Sequence, residues 1–132
     1  MTGVGLRFGR FSLVGIIGAL LQLTLLWFLT KCFGIVSTAA MLVAVEITIL
    51  HNFAWHERFT WGDRGLKSSR QLVLRLWRFH AGNGLVSLAG NTIFVYCLVE
   101  RLKAPVLPAA IGAILLCSLA NFLIADRWVY RS

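Results

Sequence analysis

The residue pattern that points most directly to chemistry in this 132-residue chain is a phrase that occurs twice. His51-Asn52-Phe53-Ala54-Trp55-His56-Glu57-Arg58-Phe59-Thr60-Trp61 recurs as Ala120-Asn121-Phe122-Leu123-Ile124-Ala125-Asp126-Arg127-Trp128-Val129-Tyr130. The shared pattern is Asn-Phe, three variable positions, an acid, Arg, an aromatic, one spacer and an aromatic. Each copy closes a long apolar run. Each therefore sets an amide just inside a membrane boundary and a guanidinium at it. A guanidinium can bind two phosphate oxygens at once. That chemistry suits a lipid with an anionic head.

Arg58 and Arg127 are the candidates for gripping such a phosphate. The competing reading is anchoring, because cations flank many cytoplasmic helix ends. Glu57 and Asp126 precede them and either orient the arginines or balance local charge. Asn52 and Asn121 lie about one turn inside the boundary. A buried amide must find partners there, since lipid offers none. Interhelical bonding, worth roughly 0.6–2 kcal/mol, and contact with a lipid head are both open.

His80, Asn83, Ser87 and Asn91 are spaced 3, 4 and 4 apart, which places them on one helix face. Such a line either leads a sugar headgroup along a groove or bonds to a neighbouring helix, with Gly82 and Gly90 permitting close packing. Gln22 falls at the depth of Asn91 and is a further candidate. Glu46 sits in the middle of an apolar run. An ionised carboxylate is costly there, so the side chain is expected to be neutral or paired. A proton-linked switch, a sugar-hydroxyl contact and a bond to another helix are all open. Helical spacing aligns Glu46 with Val43, Leu50 and Phe53, away from Thr48, His51 and Asn52, which points to a helix or subunit contact. His51 and His80 fit no metal-ligand spacing. There is no Ser-His-Asp set, carboxylate pair or phosphate-cradling glycine loop. No metal, cofactor or enzyme active site is expected.

The elements that must hold these residues are membrane spans. The chain is 58% hydrophobic and 14% charged, against about 25% charged residues in ordinary globular domains. Residues 11–30 and 104–125 carry no Asp, Glu, Lys or Arg, 34–55 only Glu46, and 79–99 none, with His80 near one end. Each is close to the roughly 20 residues that cross a bilayer core as a helix. An all-α membrane protein with four transmembrane helices is expected. No cleaved signal peptide is expected, because the first apolar run exceeds an h-region of about 7–15 residues. Cys32, Cys97 and Cys117 read as packing residues, not bridges.

The net charge of +8 does not point to nucleic acid. Ten of the 13 basic residues lie before the first span, between the second and third, or after the fourth. The positive-inside rule then puts both termini and the middle loop in the cytoplasm, in the inner membrane. Trp55, Trp61, Trp77 and Trp128 lie near that boundary, as an aromatic belt would. Both halves start on the same side, so they are parallel repeats of two helices, about 7–61 and 76–130, within a single domain over 1–132. A two-fold arrangement would bring Asn52 with Arg58 and Asn121 with Arg127 around one axis. Between the repeats, 66–78 reads as a short interfacial amphipathic helix, with Lys67, Arg70, Arg75 and Arg78 on its basic side.

The chain resembles the GtrA-like family of small four-span membrane proteins. The resemblance covers nearly the whole length. It rests on Arg10-Phe11 and Arg78-Phe79 as openings, the four spans, and both copies of the Asn-Phe…Arg-aromatic phrase. The ending from Asn121 to Tyr130 is close to the family's usual one; the first copy departs with His51 before the Asn and Trp55-His56 inside it. Membership implies translocation of a polyprenyl-phosphate-linked monosaccharide between leaflets for glycosylation of cell-surface polysaccharides. It also leaves open a non-transporting role that anchors or stabilises the glycosyltransferase making that lipid. Four short helices form a thin wall, so a homodimer or larger oligomer in the membrane lipid is expected. A small drug exporter fits less well, because its glutamate lies in the first span and cationic substrates would clash with the arginines.

Overall fold

The computed structural model describes residues 2–90, 93 and 96–131, which are helices joined by short turns. They divide into two compact units, Met1–Gly65 and Leu66–Ser132. Each is best understood by itself.

The N-terminal unit is a hairpin of α1 (Thr2–Lys31) and α2 (Ser37–Trp55). Thirty residues make α1 about 45 Å long at 1.5 Å per residue, well beyond a hydrocarbon core of about 30 Å. Its first turns, with Arg7 and Arg10, therefore extend past the apolar part. Gly3–Lys31 and Ser37–Thr60 are both long and apolar enough to cross a membrane. The hairpin closes on small residues. Gly18 of α1 and Ala40, Ala44 and Thr48 of α2 are buried. That four-residue spacing on α2 is a small-residue stripe of the kind that brings membrane helices close. The large apolar residues point outward instead; Leu20 and Leu23 are 61% and 62% exposed. A surface of this kind suits lipid as the solvent.

The C-terminal unit carries α3 (Ser69–Leu85), a π-helical turn (Val86–Gly90), and α4 (Val106–Ile124). Ser68 caps α3 by accepting from the backbone N–H of Gln71 at 3.2 Å. The side chain of Gln71 accepts in turn from the N–H of Lys67 at 2.7 Å, close to a capping box. Two expectations are corrected here. The amphipathic stretch 66–78 is not a helix of its own, because its helical part runs on without a break from Ser69 to Leu85. Nor do its cations share one solvated side, since Arg75 is 2% exposed and lies over the Tyr130 ring at 5.5 Å.

The units repeat the same internal construction. In the first, the N–H of Ile35 reaches back to Leu29 O at 3.1 Å, Gly34 adopts φ 64°, and Val36 precedes α2. In the second, the N–H of Ala104 reaches back to Leu98 O at 2.8 Å, Lys103 adopts φ 54°, and Pro105 precedes α4. Both helix ends use a left-handed residue to reverse the chain. Arg10 and Arg78 lie 68 positions apart, but Asn52 and Asn121 lie 69 apart. Gly34 and Lys103 are already 69 apart, so the extra residue enters between Arg78 and Lys103, where the second unit has π-helical turns at Val86–Gly90 and Tyr96–Arg101.

Candidate functional site

Each Asn-Phe phrase ends in a further π-helical turn, His56–Thr60 in the first unit and Ala125–Val129 in the second. The carbonyls of Asn52 and Phe53 share the N–H of His56, and those of Asn121 and Phe122 share the N–H of Ala125. The turns close when Trp61 N–H donates to His56 O and Tyr130 N–H donates to Ala125 O, both at 2.9 Å. A π turn is wider than an α turn, and it swings the last aromatic back into its own unit. Trp61 and Tyr130 are both 0% exposed. Phe11 stacks on His56 at 4.7 Å and meets Trp61 edge-on at 6.0 Å. His56 Nδ1 lies 2.9 Å from the Thr60 hydroxyl.

Burying the last aromatic turns the arginine and the first aromatic outward. Arg10 donates to the Phe59 carbonyl at 3.1 Å and sits over its ring at 5.0 Å. In the second unit Arg78 donates to the Trp128 carbonyl at 3.3 Å and sits over its ring at 5.7 Å. The Arg-Phe opening of each repeat thus clamps the aromatic that follows the Arg of its phrase.

Beyond this shared clamp the units differ. In the first, Arg58 joins Arg7, Arg10, Phe59, Thr60 and Asp63 around a cleft of about 340 Å³. Arg7 pairs with Asp63 across it. Partial desolvation raises the Asp63 carboxyl, but the hydrogen bond and charge of Arg7, with Arg64 behind it, prevail and hold it below its ordinary range. A glycine is required at Gly62, because a side chain there would collide with the Arg58 carbonyl. In the second unit Arg127 is exposed, but the groove beside its π turn is apolar. That groove, about 310 Å³, is lined by Ala81, Gly82, Leu85, Val86, Ile124 and Trp128.

The other expected site residues disperse. Asn52 packs its amide onto Gly18 and has His51 Nδ1 3.1 Å from its Oδ1. Asn121 donates to the Ser87 hydroxyl at 3.2 Å, and its buried Oδ1 meets no donor among the described residues. Gln22 reaches the Met41 sulfur at 3.7 Å. Glu46 is exposed on α2, with Val43 and Leu50 also exposed. His80 is exposed and Asn83 half-buried on α3. Asn91 lies outside the described residues. Ser87 lies within the π turn, so the regular α-helical spacing of His80 and Asn83 does not carry through it. Gly82 and Gly90 pack tightly, against Ile124 and Cys117 respectively. Among the described residues no group of three metal-ligating side chains gathers.

Reading the phrase alone leaves out Arg7, Arg10, Asp63 and Gly18. The Arg-Phe opening is the signal that could have found Arg10, since it recurs together with the phrase it clamps.

The transmembrane-domain model of the GtrA/DPMS family matches residues 10–130. Over 89 residues the chain is 34% identical to a dolichol-phosphate mannosyltransferase of Pyrococcus furiosus. The match covers 66% of this chain and 22% of that enzyme, so the chain corresponds to about a fifth of the relative's length. With two helices long and apolar enough to span a bilayer and a family match over nearly its full length, the chain belongs to the GtrA/DPMS transmembrane-domain family.

Proposed function

We propose that this protein moves a polyprenyl-phosphate-linked monosaccharide across the cytoplasmic membrane, as a multi-pass inner-membrane carrier without catalysis of its own. Family membership ties the chain to polyprenyl-phosphate sugar metabolism, and the mannosyltransferase relative belongs to the same chemistry. The observation that carries the proposal is the Arg58 cleft. Its guanidinium stands with those of Arg7 and Arg10 at the end of the hairpin where a lipid phosphate would lie. Arg58 or Arg127 takes the phosphate, and charge-assisted bonds to its non-bridging oxygens hold it. The isoprenoid tail stays in lipid against the exposed apolar faces, so only the head crosses. Asn52, Asn121, Asn83, Asn91, His80, Gln22 and Glu46 offer amide, imidazole and carboxyl groups to the sugar hydroxyls during passage. Oligomerisation, through faces such as that of Glu46, would thicken the thin wall of four helices.

A second reading has a specific observation behind it. The stretch resembling this chain is part of a mannosyltransferase. A free-standing version would then anchor or stabilise a separate glycosyltransferase, with no transport of its own. Reconstituting the purified protein alone, without any transferase, separates the two. Delivery of a short-chain polyprenyl-phosphate mannose into sealed vesicles supports the carrier. Absence of delivery together with co-purification of a glycosyltransferase supports the anchor.

A further inference from the structure

We propose that Arg7 and Asp63 form an exchangeable latch over a phosphate seat built from Arg7, Arg10 and Arg58. A phosphate ester entering the seat takes Arg7 from Asp63. This rests on the phosphate reading above and says how that site fills and empties.

The three guanidiniums have different roles. Arg10 is committed to the Phe59 carbonyl and ring, so it is a fixed wall. Arg58 projects from the π turn, is exposed, and makes no side-chain hydrogen bond to a described residue. Arg7 is held by Asp63 from the turn that follows. The cleft already contains an anion, the Asp63 carboxylate, and that carboxylate marks where a second anion would be bound. Three arginines against one aspartate leave a local charge of +2 in the lining. The phosphodiester of a polyprenyl-phosphate sugar carries one negative charge and a phosphate monoester about −1.5 to −2 at neutral pH, so either suits this positive lining without removing Asp63.

The exchange is easy because the pair is weak. Its side chains are 24% and 58% exposed, and exposed ion pairs contribute little to stability. A phosphate in the seat meets Arg7, Arg10 and Arg58 together, so Arg7 gains by changing partner. In the second repeat Arg75, the residue three before the clamping Arg78 as Arg7 is three before Arg10, is buried over Tyr130, and the groove beside that π turn is apolar.

Calorimetric titration of the full chain in detergent with farnesyl phosphate and with inorganic phosphate tests the proposal. Asp63→Asn removes the carboxylate that competes for Arg7 and should tighten farnesyl phosphate roughly two- to five-fold. Arg7→Gln should weaken it roughly ten-fold or more. A thermal melt alongside confirms that each variant is folded. If Asp63→Asn leaves affinity unchanged or lowers it while Arg58→Ala abolishes binding, the latch is wrong and the phosphate reading stands. If Arg58→Ala has no effect either, the phosphate reading itself falls. Farnesyl phosphate binding more tightly than inorganic phosphate is the result expected for a lipid ligand. Equal affinities would assign the seat to free phosphate and overturn the lipid assignment.

Discussion

Asn52 rests its side-chain amide directly on the bare α-carbon of Gly18. No Cβ fits between them, so this glycine and this amide form a tight contact between α1 and α2. Gly18→Ala should lower stability by about 1–3 kcal/mol, the usual cost of overpacking a tight contact. Adding Asn52→Ala removes the obstructing amide. The double variant should therefore be more stable than Gly18→Ala alone, a coupling expected of residues in direct contact. Thermal unfolding in detergent reads both. A strictly additive pair would show that the contact is not a steric one.

The arginine clamps depend on the shape of guanidinium. Arg10 and Arg78 each serve a carbonyl and an aromatic face together. A lysine is a compact point charge and cannot place both contacts with the same fork. Arg10→Lys and Arg78→Lys should each cost about 1–2 kcal/mol. Hydrogen exchange at the amides of 57–61 and 126–130 should quicken in the matching variant. Unaltered exchange in both would mean that the clamps do not hold the π turns.

Ser87 is the partner of Asn121 at 3.2 Å. Ser87→Ala leaves the amide without that acceptor. In the membrane interior such bonds are worth roughly 0.6–2 kcal/mol, and a stability loss of that size is expected. The equivalent loss at Asn52 should be smaller when His51 is replaced, because Asn52 is also supported by its packing on Gly18. Equilibrium unfolding of the two variants gives the comparison.

The Arg7–Asp63 pair has a definite pH signature. The folded Asp63 carboxyl titrates below its ordinary value of 3.8, chiefly through Arg7 acting against partial desolvation. A depressed carboxylate contributes above the unfolded value and is lost as pH falls through the lower folded one. The latch is therefore closed at neutral pH and opens only in acid below the ordinary carboxylate range. Carboxyl carbon NMR of aspartate-labelled protein should show Asp63 titrating low in the wild type and higher in Arg7→Gln. Identical midpoints would remove the pair.

Some of this is readable directly from the residues. The doubled phrase marks Arg58, Asn52 and their counterparts because polar groups at the ends of apolar runs have few reasons to recur in register. The long apolar runs forecast α1 and α2 for the same reason. Other features leave little trace. A π-helical turn has no composition of its own, and here only the mismatch of 68 against 69 positions betrays the extra residue in the stretch that holds the π turns of the third span. Nothing between Arg78 and Phe79 breaks a helix, so periodicity finds the amphipathic face of 66–78 but cannot say that its helix runs on to Leu85. Arg7 and Arg75 read alike as flanking cations. One pairs with Asp63 and the other is buried over Tyr130, a difference decided by packing.

The central claim is that these arginines hold a lipid phosphate while its head crosses the bilayer. The most direct measurement is delivery of a short-chain polyprenyl-phosphate mannose into sealed vesicles containing the wild type or the Arg58→Ala/Arg127→Ala double variant, each verified as folded. Delivery by the wild type and none above protein-free vesicles by the double variant is the predicted result. Equal delivery by both proteins would contradict it.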